Sequence, residues 1–171
     1  ILTVLTKAAN NKPKMPDVPY IWTDTNVDIL LASNQKNREQ DIQAFTHFMK
    51  TLEVDGVKEG VITKLYDAGF DTLPKIINIT LDDLQKIQGF HDRSANNVIE
   101  ALDTIKAVPC DKMLTASNVF GRGFGEKKFQ LIIGEYPYII SNKEKALNLS
   151  VADLIKVKGI ANTTAKQFIE Y

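Results

Sequence analysis

Cysteine is nearly absent: Cys110 is the only one in 171 residues. A lone thiol excludes an internal disulfide and a cysteine-rich zinc site, and it suits a reducing compartment. Charge of one sign is lacking as well. Lys and Arg together number 21 and Asp and Glu 21, so the formal net charge is zero, and a polyanion would have to be met by local basic clusters rather than by bulk attraction. The two histidines, His47 and His91, are too far apart in sequence to suggest a metal pair. No apolar run approaches the roughly 20 residues of a membrane span, and no secretory signal leads the chain. The first residue is Ile rather than Met, so the sequence reads as a piece of something longer. What is present is ordinary globular usage, 44% hydrophobic and 25% charged, enough for one sizeable core or two small units.

The organisation changes once along the chain. Ile1 to Leu5 is short and β-branched, a strand candidate, and the proline-rich stretch from Asn10 to Pro19 supports neither helix nor central strand. Tyr20 to Leu31 reads as a small extended unit. From there the apolar period changes: Ile42, Phe45, Phe48, Met49 and Leu52 fall on one helical face. Short, glycine-punctuated helices follow to the end.

That punctuation is periodic. LEVDGVKEGVITKL (52–65), KIQGFHDRSANNVI (86–99), GRGFGEKKFQLIIG (121–134) and KVKGIANTTAKQFI (156–169) align with Gly56, Gly89, Gly123 and Gly159 in register, 33, 34 and 36 residues apart. Each glycine precedes a hydrophobe: Val57, Phe90, Phe124 and Ile160. Two places after the glycine stand Lys58, His91, Gly125 and Ala161; six places after it stand Ile62, Ala95, Phe129 and Ala165, the inward positions of the following helix. The second and fourth copies share a lead-in, Leu81-Asp82-Asp83-Leu84 and Val151-Ala152-Asp153-Leu154, opened by the capping residues Thr80 and Ser150.

Glycine, hydrophobe, small residue, then a helix with an inward alanine is the pattern of a helix-hairpin-helix. One helix ends on a glycine able to take positive φ, the hydrophobe plugs the two helices together, and the second helix starts at once. Its first amides point outward and, with the helix dipole, form a seat for phosphate that requires no side chain. Arg122, Lys127 and Lys128 flank the third turn, and Arg93, Asn162 and Thr163 open the second and fourth helices. The bland alternative is that each glycine is only a C-cap; a single such turn would mean little, and four in register mean more. The first copy is degenerate, with Lys58 and Ile62 at positions usually small. Asp82-Asp83 precede a helix start, where capping explains them, and no serine, cysteine or lysine sits in surroundings that argue for a nucleophile.

From Phe45-Thr46-His47-Phe48 through Val54-Asp55-Gly56-Val57, Leu81-Asp82-Asp83-Leu84, Gly89-Phe90, Ser94-Ala95 and Gly121-Arg122-Gly123-Phe124-Gly125-Glu126, the chain resembles the C-terminal part of bacterial-type NAD-dependent DNA ligases, over roughly residues 42–171. The resemblance implies four tandem helix-hairpin-helix motifs gripping nicked duplex, behind an oligonucleotide-binding barrel and a zinc finger. Two departures stand out. The stretch about Pro19 to Gln40, where the zinc finger would fall, has no cysteine, which points to a phage or viral relative or a split enzyme, with Trp22 and Ile29 as the apolar substitute. The adenylating domain, its KxDG lysine and its NAD-binding module are absent from the sequence.

The expectation is a mainly α protein: a barrel remnant and linker at 1–19, a zinc-finger-equivalent segment at 20–40, and a four-repeat DNA-binding domain at 41–171 folded as two pseudo-symmetric pairs. Its expected role is sequence-independent binding of nicked double-stranded DNA through Gly56, Val57, Lys58, Gly89, Phe90, His91, Arg93, Gly121, Arg122, Gly123, Phe124, Gly125, Lys127, Lys128, Gly159, Ile160, Ala161, Asn162 and Thr163. The chain alone should be inactive, with no metal site and no cofactor; NAD and magnesium belong to the parent ligase by resemblance. The expected partners are DNA and an adenylation domain, with no membrane, in the cytoplasm of a bacterial or phage-infected cell. Two alternatives stay open: a helical protein-interaction module, and a repair or junction-binding scaffold without ligase activity.

Overall fold

The structure, a computed structural model, describes residues 15, 17, 19–32, 37–121 and 123–171. The strand expected at Ile1 to Leu5, most of the expected linker, and Arg122 lie outside the described residues. The chain divides into two units, residues 1–37 and 38–171.

In the first unit, β1 (Tyr20–Trp22) pairs antiparallel with β2 (Ile29–Leu31), with Trp22 opposite Ile29. The connection is tied by Thr23, whose N–H donates to Asp28 O at 2.9 Å and whose Oγ1 accepts from Asp28 N–H at 3.3 Å. Trp22 is 48% exposed and meets Tyr20 edge-on at 6.3 Å. Trp22 and Ile29 therefore form a cross-strand pair on a ribbon rather than a closed apolar cluster.

The second unit is helical throughout its described residues. It opens with α1 (Arg38–Thr51), which buries Ile42, Phe48 and Met49 as the apolar period predicts, and begins three residues before the boundary expected at 41. Val54 N–H bonds Met49 O and Glu53 N–H bonds Lys50 O, a Schellman closure that places Glu53 at φ +60 and turns Val54 into the core. Then come α2 (Glu59–Asp67), α3 (Leu73–Ile77), α4 (Leu81–Lys86) and α5 (Asp92–Asp103). After α6 (Cys110–Ser117), the same order of long, short, short, long recurs in α7 (Glu126–Glu135), α8 (Lys143–Leu147), α9 (Val151–Leu154) and α10 (Asn162–Glu170).

The core follows this duplication. One buried cluster gathers Val57, Ile62, Leu65, Leu84, Phe90 and Ala95 from the first two copies. The other gathers Phe124, Phe129, Ile132, Leu154, Ile160 and Ala165 from the last two. Helix α6 serves both, with Ala116 in the first cluster and Leu114 against the second, and Lys112 Nζ bonds Glu53 Oε2 at 3.1 Å beyond the end of α1. The inward positions Ile62, Ala95, Phe129 and Ala165 are at most 1% exposed, so the register read from the sequence is the register of the fold.

Candidate nucleic-acid interface

All four aligned glycines take positive φ: +84 at Gly56, +89 at Gly89, +95 at Gly123 and +100 at Gly159. Each is exposed, and each following hydrophobe is buried. In the second and fourth copies the reason is explicit: Phe90 N–H bonds Ile87 O at 3.2 Å and Ile160 N–H bonds Val157 O at 3.0 Å, closing turns whose third residue is the glycine. Such turns require a left-handed third residue, which glycine adopts without a Cβ clash.

These bonds also correct the amide inventory. Phe90 and Ile160 have both side chain and N–H turned inward, so neither offers a donor to a ligand; Val57 and Phe124 likewise bury their side chains. His91 N–H is taken by Ser94 Oγ at 2.8 Å. Gly121 N–H bonds Asn118 O at 3.0 Å, so Gly121, at φ +71, belongs to the exit of α6 rather than to the open corner.

The residue that opens each second helix is extended in every copy: Lys58, His91, Gly125 and Ala161, with ψ between 160 and 176. All four are exposed. The first amides of a helix have no carbonyl one turn behind them; in α2 and α7 the third amide is already bonded, Val61 N–H to Lys58 O and Lys128 N–H to Gly125 O, each at 2.9 Å, and the first two residues of all four helices are exposed. The first turns differ in charge. Glu59, Asp92 and Glu126 stand in those of α2, α5 and α7, where they complement the dipole and repel an anion, whereas α10 opens with Asn162 and Thr163 and no acid. The fourth corner is therefore the least opposed to phosphate.

Neighbouring corners meet in pairs. A groove of about 520 Å³ is lined by Gly56, Lys58 and Gly60 from the first hairpin and by Gly89, Phe90 and Ser94 from the second. In the other pair Lys128 Nζ lies 3.3 Å from Thr164 Oγ1 of α10 and 5.5 Å from the centroid of the Phe124 ring. Gln167 of α10 donates to Phe120 O, which ties the fourth hairpin to the approach of the third. Arg93, Lys127, Asn162 and Thr163 are exposed beside their corners, and Lys128 is half-buried.

The two lead-ins are capping boxes. Thr80 Oγ1 accepts from Asp83 N–H while Asp83 Oδ2 accepts from Thr80 N–H, and Ser150 and Asp153 repeat the exchange, each bond at 3.2 Å. The hydroxyls hold both carboxyls below their usual range, Thr80 acting on Asp83 and Ser150, aided by Lys156, bringing Asp153 to about 2. These carboxylates are structural caps. His47 is exposed, with Nε2 at 3.4 Å from Thr51 Oγ1, and among the described residues no group of three or more His, Cys, Asp or Glu is placed to hold a metal ion. One residue at the corners has no local sequence signal: Lys64, whose Nζ lies over the Phe90 ring at 5.5 Å.

Paired turns with plugged hydrophobes and outward helix starts define a tandem helix-hairpin-helix domain, and the sequence profile of the SAM-like helix-hairpin-helix tandem matches residues 48–104. The likeness extends further along the chain. A DNA ligase of Acanthamoeba polyphaga mimivirus is 37% identical over 163 residues, 92% of this chain and 25% of that protein. DNA ligases of Natranaerobius thermophilus and Chlamydia pneumoniae are 25% and 27% identical, over 84% and 70% of this chain but 21% and 17% of their own lengths. The chain thus matches the C-terminal helix-hairpin-helix region of a DNA ligase, and it spans a quarter or less of the length of these relatives. Identity is higher to the mimivirus protein than to these two bacterial ones, which agrees with the viral side of the expectation of a phage or viral relative or a split enzyme. No helix among the described residues is long and apolar enough to cross a membrane.

Proposed function

We propose that this region grips double-stranded DNA through its phosphates, without reading base sequence, and holds a nick for an adenylating domain that lies outside the sequence. The observation that carries this reading is the fourfold recurrence of an exposed, positive-φ glycine beside an outward helix start, set in two pairs. Amides at such corners meet phosphate oxygens and have no view of base edges, which makes the grip indifferent to sequence. The DNA-ligase relatives supply the substrate class. NAD and magnesium belong to the adenylating part.

Neutral net charge shapes the binding. Contact with about six to eight phosphates by cations alone would give a log–log salt slope of about −5 to −7, and peptide dipoles, which release fewer counterions, make it shallower. Fluorescence anisotropy with nicked and intact duplexes of several unrelated sequences tests the reading. The expected result is binding that varies little with sequence and favours the nicked form. Absence of binding at low salt would hand the corners to a protein partner, and a preference for branched DNA would make the protein a junction scaffold.

A further inference from the structure

One cation is set into the junction of the first hairpin pair. Lys64 projects from α2, and its Nζ lies 2.7 Å from the point where a Cβ on Gly89 would stand, as well as over the Phe90 ring. It lines the groove shared by both turns. In the second pair Lys128 occupies the comparable junction, over Phe124, 3.9 Å from the equivalent point on Gly123 and against Thr164. The two lysines arrive from different repeat positions, the eighth residue after Gly56 and the fifth after Gly123. Each pair has one phenylalanine among its two plugs, and each ammonium rests on that ring.

Among the described residues the charge of Lys64 has no ion-pair partner. The carboxylates that share its other flank, Asp67 and Asp83, are already engaged, Asp67 with Arg38 at 2.7 Å and Asp83 in the Thr80 cap. Among the described residues neither Lys64 nor Lys128 forms a salt bridge. An ammonium held over a ring loses rotamer freedom before a ligand arrives, so less is lost on binding.

We infer that Lys64 is a phosphate-contacting cation of the first hairpin pair, held over Phe90 in the groove between the turns at Gly56 and Gly89. The inference rests on the DNA-binding reading. Because the ammonium stands in front of Gly89, a phosphate entering this groove meets the side chain before the first amides of α5. The degenerate first copy thereby gains a role: its helix arms its neighbour's turn.

The test is anisotropy of the full 171-residue chain on a nicked duplex between 50 and 200 mM salt, comparing wild type with Lys64→Met, Lys64→Arg, and Lys106→Met, whose ammonium is already paired with Asp103. Lys64→Met is expected to weaken binding about five- to tenfold near 0.1 M salt and to flatten the salt slope by about one, with Lys64→Arg and Lys106→Met close to wild type. Thermal melting separates a binding effect from misfolding, and Lys64→Gln provides a second neutral variant. Wild-type affinity and slope in both neutral variants, in a chain that still binds and is weakened by Gly125→Val, would overturn the role of Lys64 and leave the clamp standing. A wild-type chain that binds no duplex would overturn the DNA reading itself.

Discussion

Leu131 Cδ1 lies 3.2 Å from the point where a Cβ on Gly159 would be built, so a residue of α7 packs directly on the backbone of the fourth turn. Leu131 is the eighth residue after Gly123, as Lys64 is the eighth after Gly56 and packs on Gly89. The same helix-over-turn contact thus recurs in both pairs, hydrocarbon in one and cation in the other. Gly159→Ala must fit a methyl there and also hold φ +100. A loss of about 1–2 kcal/mol or more is expected from urea unfolding. Gly134→Ala, in the last turn of α7 with open space around its Cβ, is expected to gain about 0.5–1 kcal/mol.

The inward position tolerates bulk in one copy and not in another. Ile62 and Ala95 are repeat-equivalent and both 0% exposed. Ala95→Ile would bring the first copy's side chain into a space closed around a methyl, at a cost of about 1–3 kcal/mol in urea unfolding. Ile62→Ala would instead leave a cavity and cost about 2–5 kcal/mol.

The fourth lead-in ties stability to pH. Asp153 titrates at about 2 because the Ser150 hydroxyl donates to it, with Lys156 and the Ser150 amide assisting. Its folded pKa is depressed, so its contribution is complete above the ordinary carboxylate range near 4 and is lost as pH falls through about 2. Ser150→Ala is expected to raise the Asp153 pKa in a carboxyl NMR titration and to move the acid-unfolding limb to higher pH. At pH 7 it should cost about 0.5–2 kcal/mol.

Much of this fold is legible in the sequence because it is written locally. A positive-φ glycine, the plug after it and the inward residue six places on lie within one short window, and Thr80 and Ser150 stand immediately before their helices, each capping the amide three residues on. The pairing of turns is less legible, since Lys64 finds Phe90 across 26 residues by tertiary packing, and its position in the repeat is filled by Leu131 elsewhere. The amide inventory was also hidden: Phe90 and Ile160 look like open corners until their N–H groups are seen bonded to Ile87 and Val157. In the first unit, Trp22 and Ile29 suggest a buried cluster by composition, whereas a two-stranded ribbon leaves Trp22 half-exposed.

The central claim is that main-chain amides at the corners hold phosphate, and Gly125 tests it most directly. Its φ of −106 suits any residue and no atom lies within 4 Å of its would-be Cβ, so Gly125→Val should cost about 1 kcal/mol of stability or less while placing a branched side chain before the amides of α7. The measurement is the affinity of Gly125→Val for nicked duplex, with circular dichroism and melting confirming the fold. The account predicts at least about a tenfold loss, the worth of one charge-assisted amide contact. Undiminished affinity in a folded variant would contradict it.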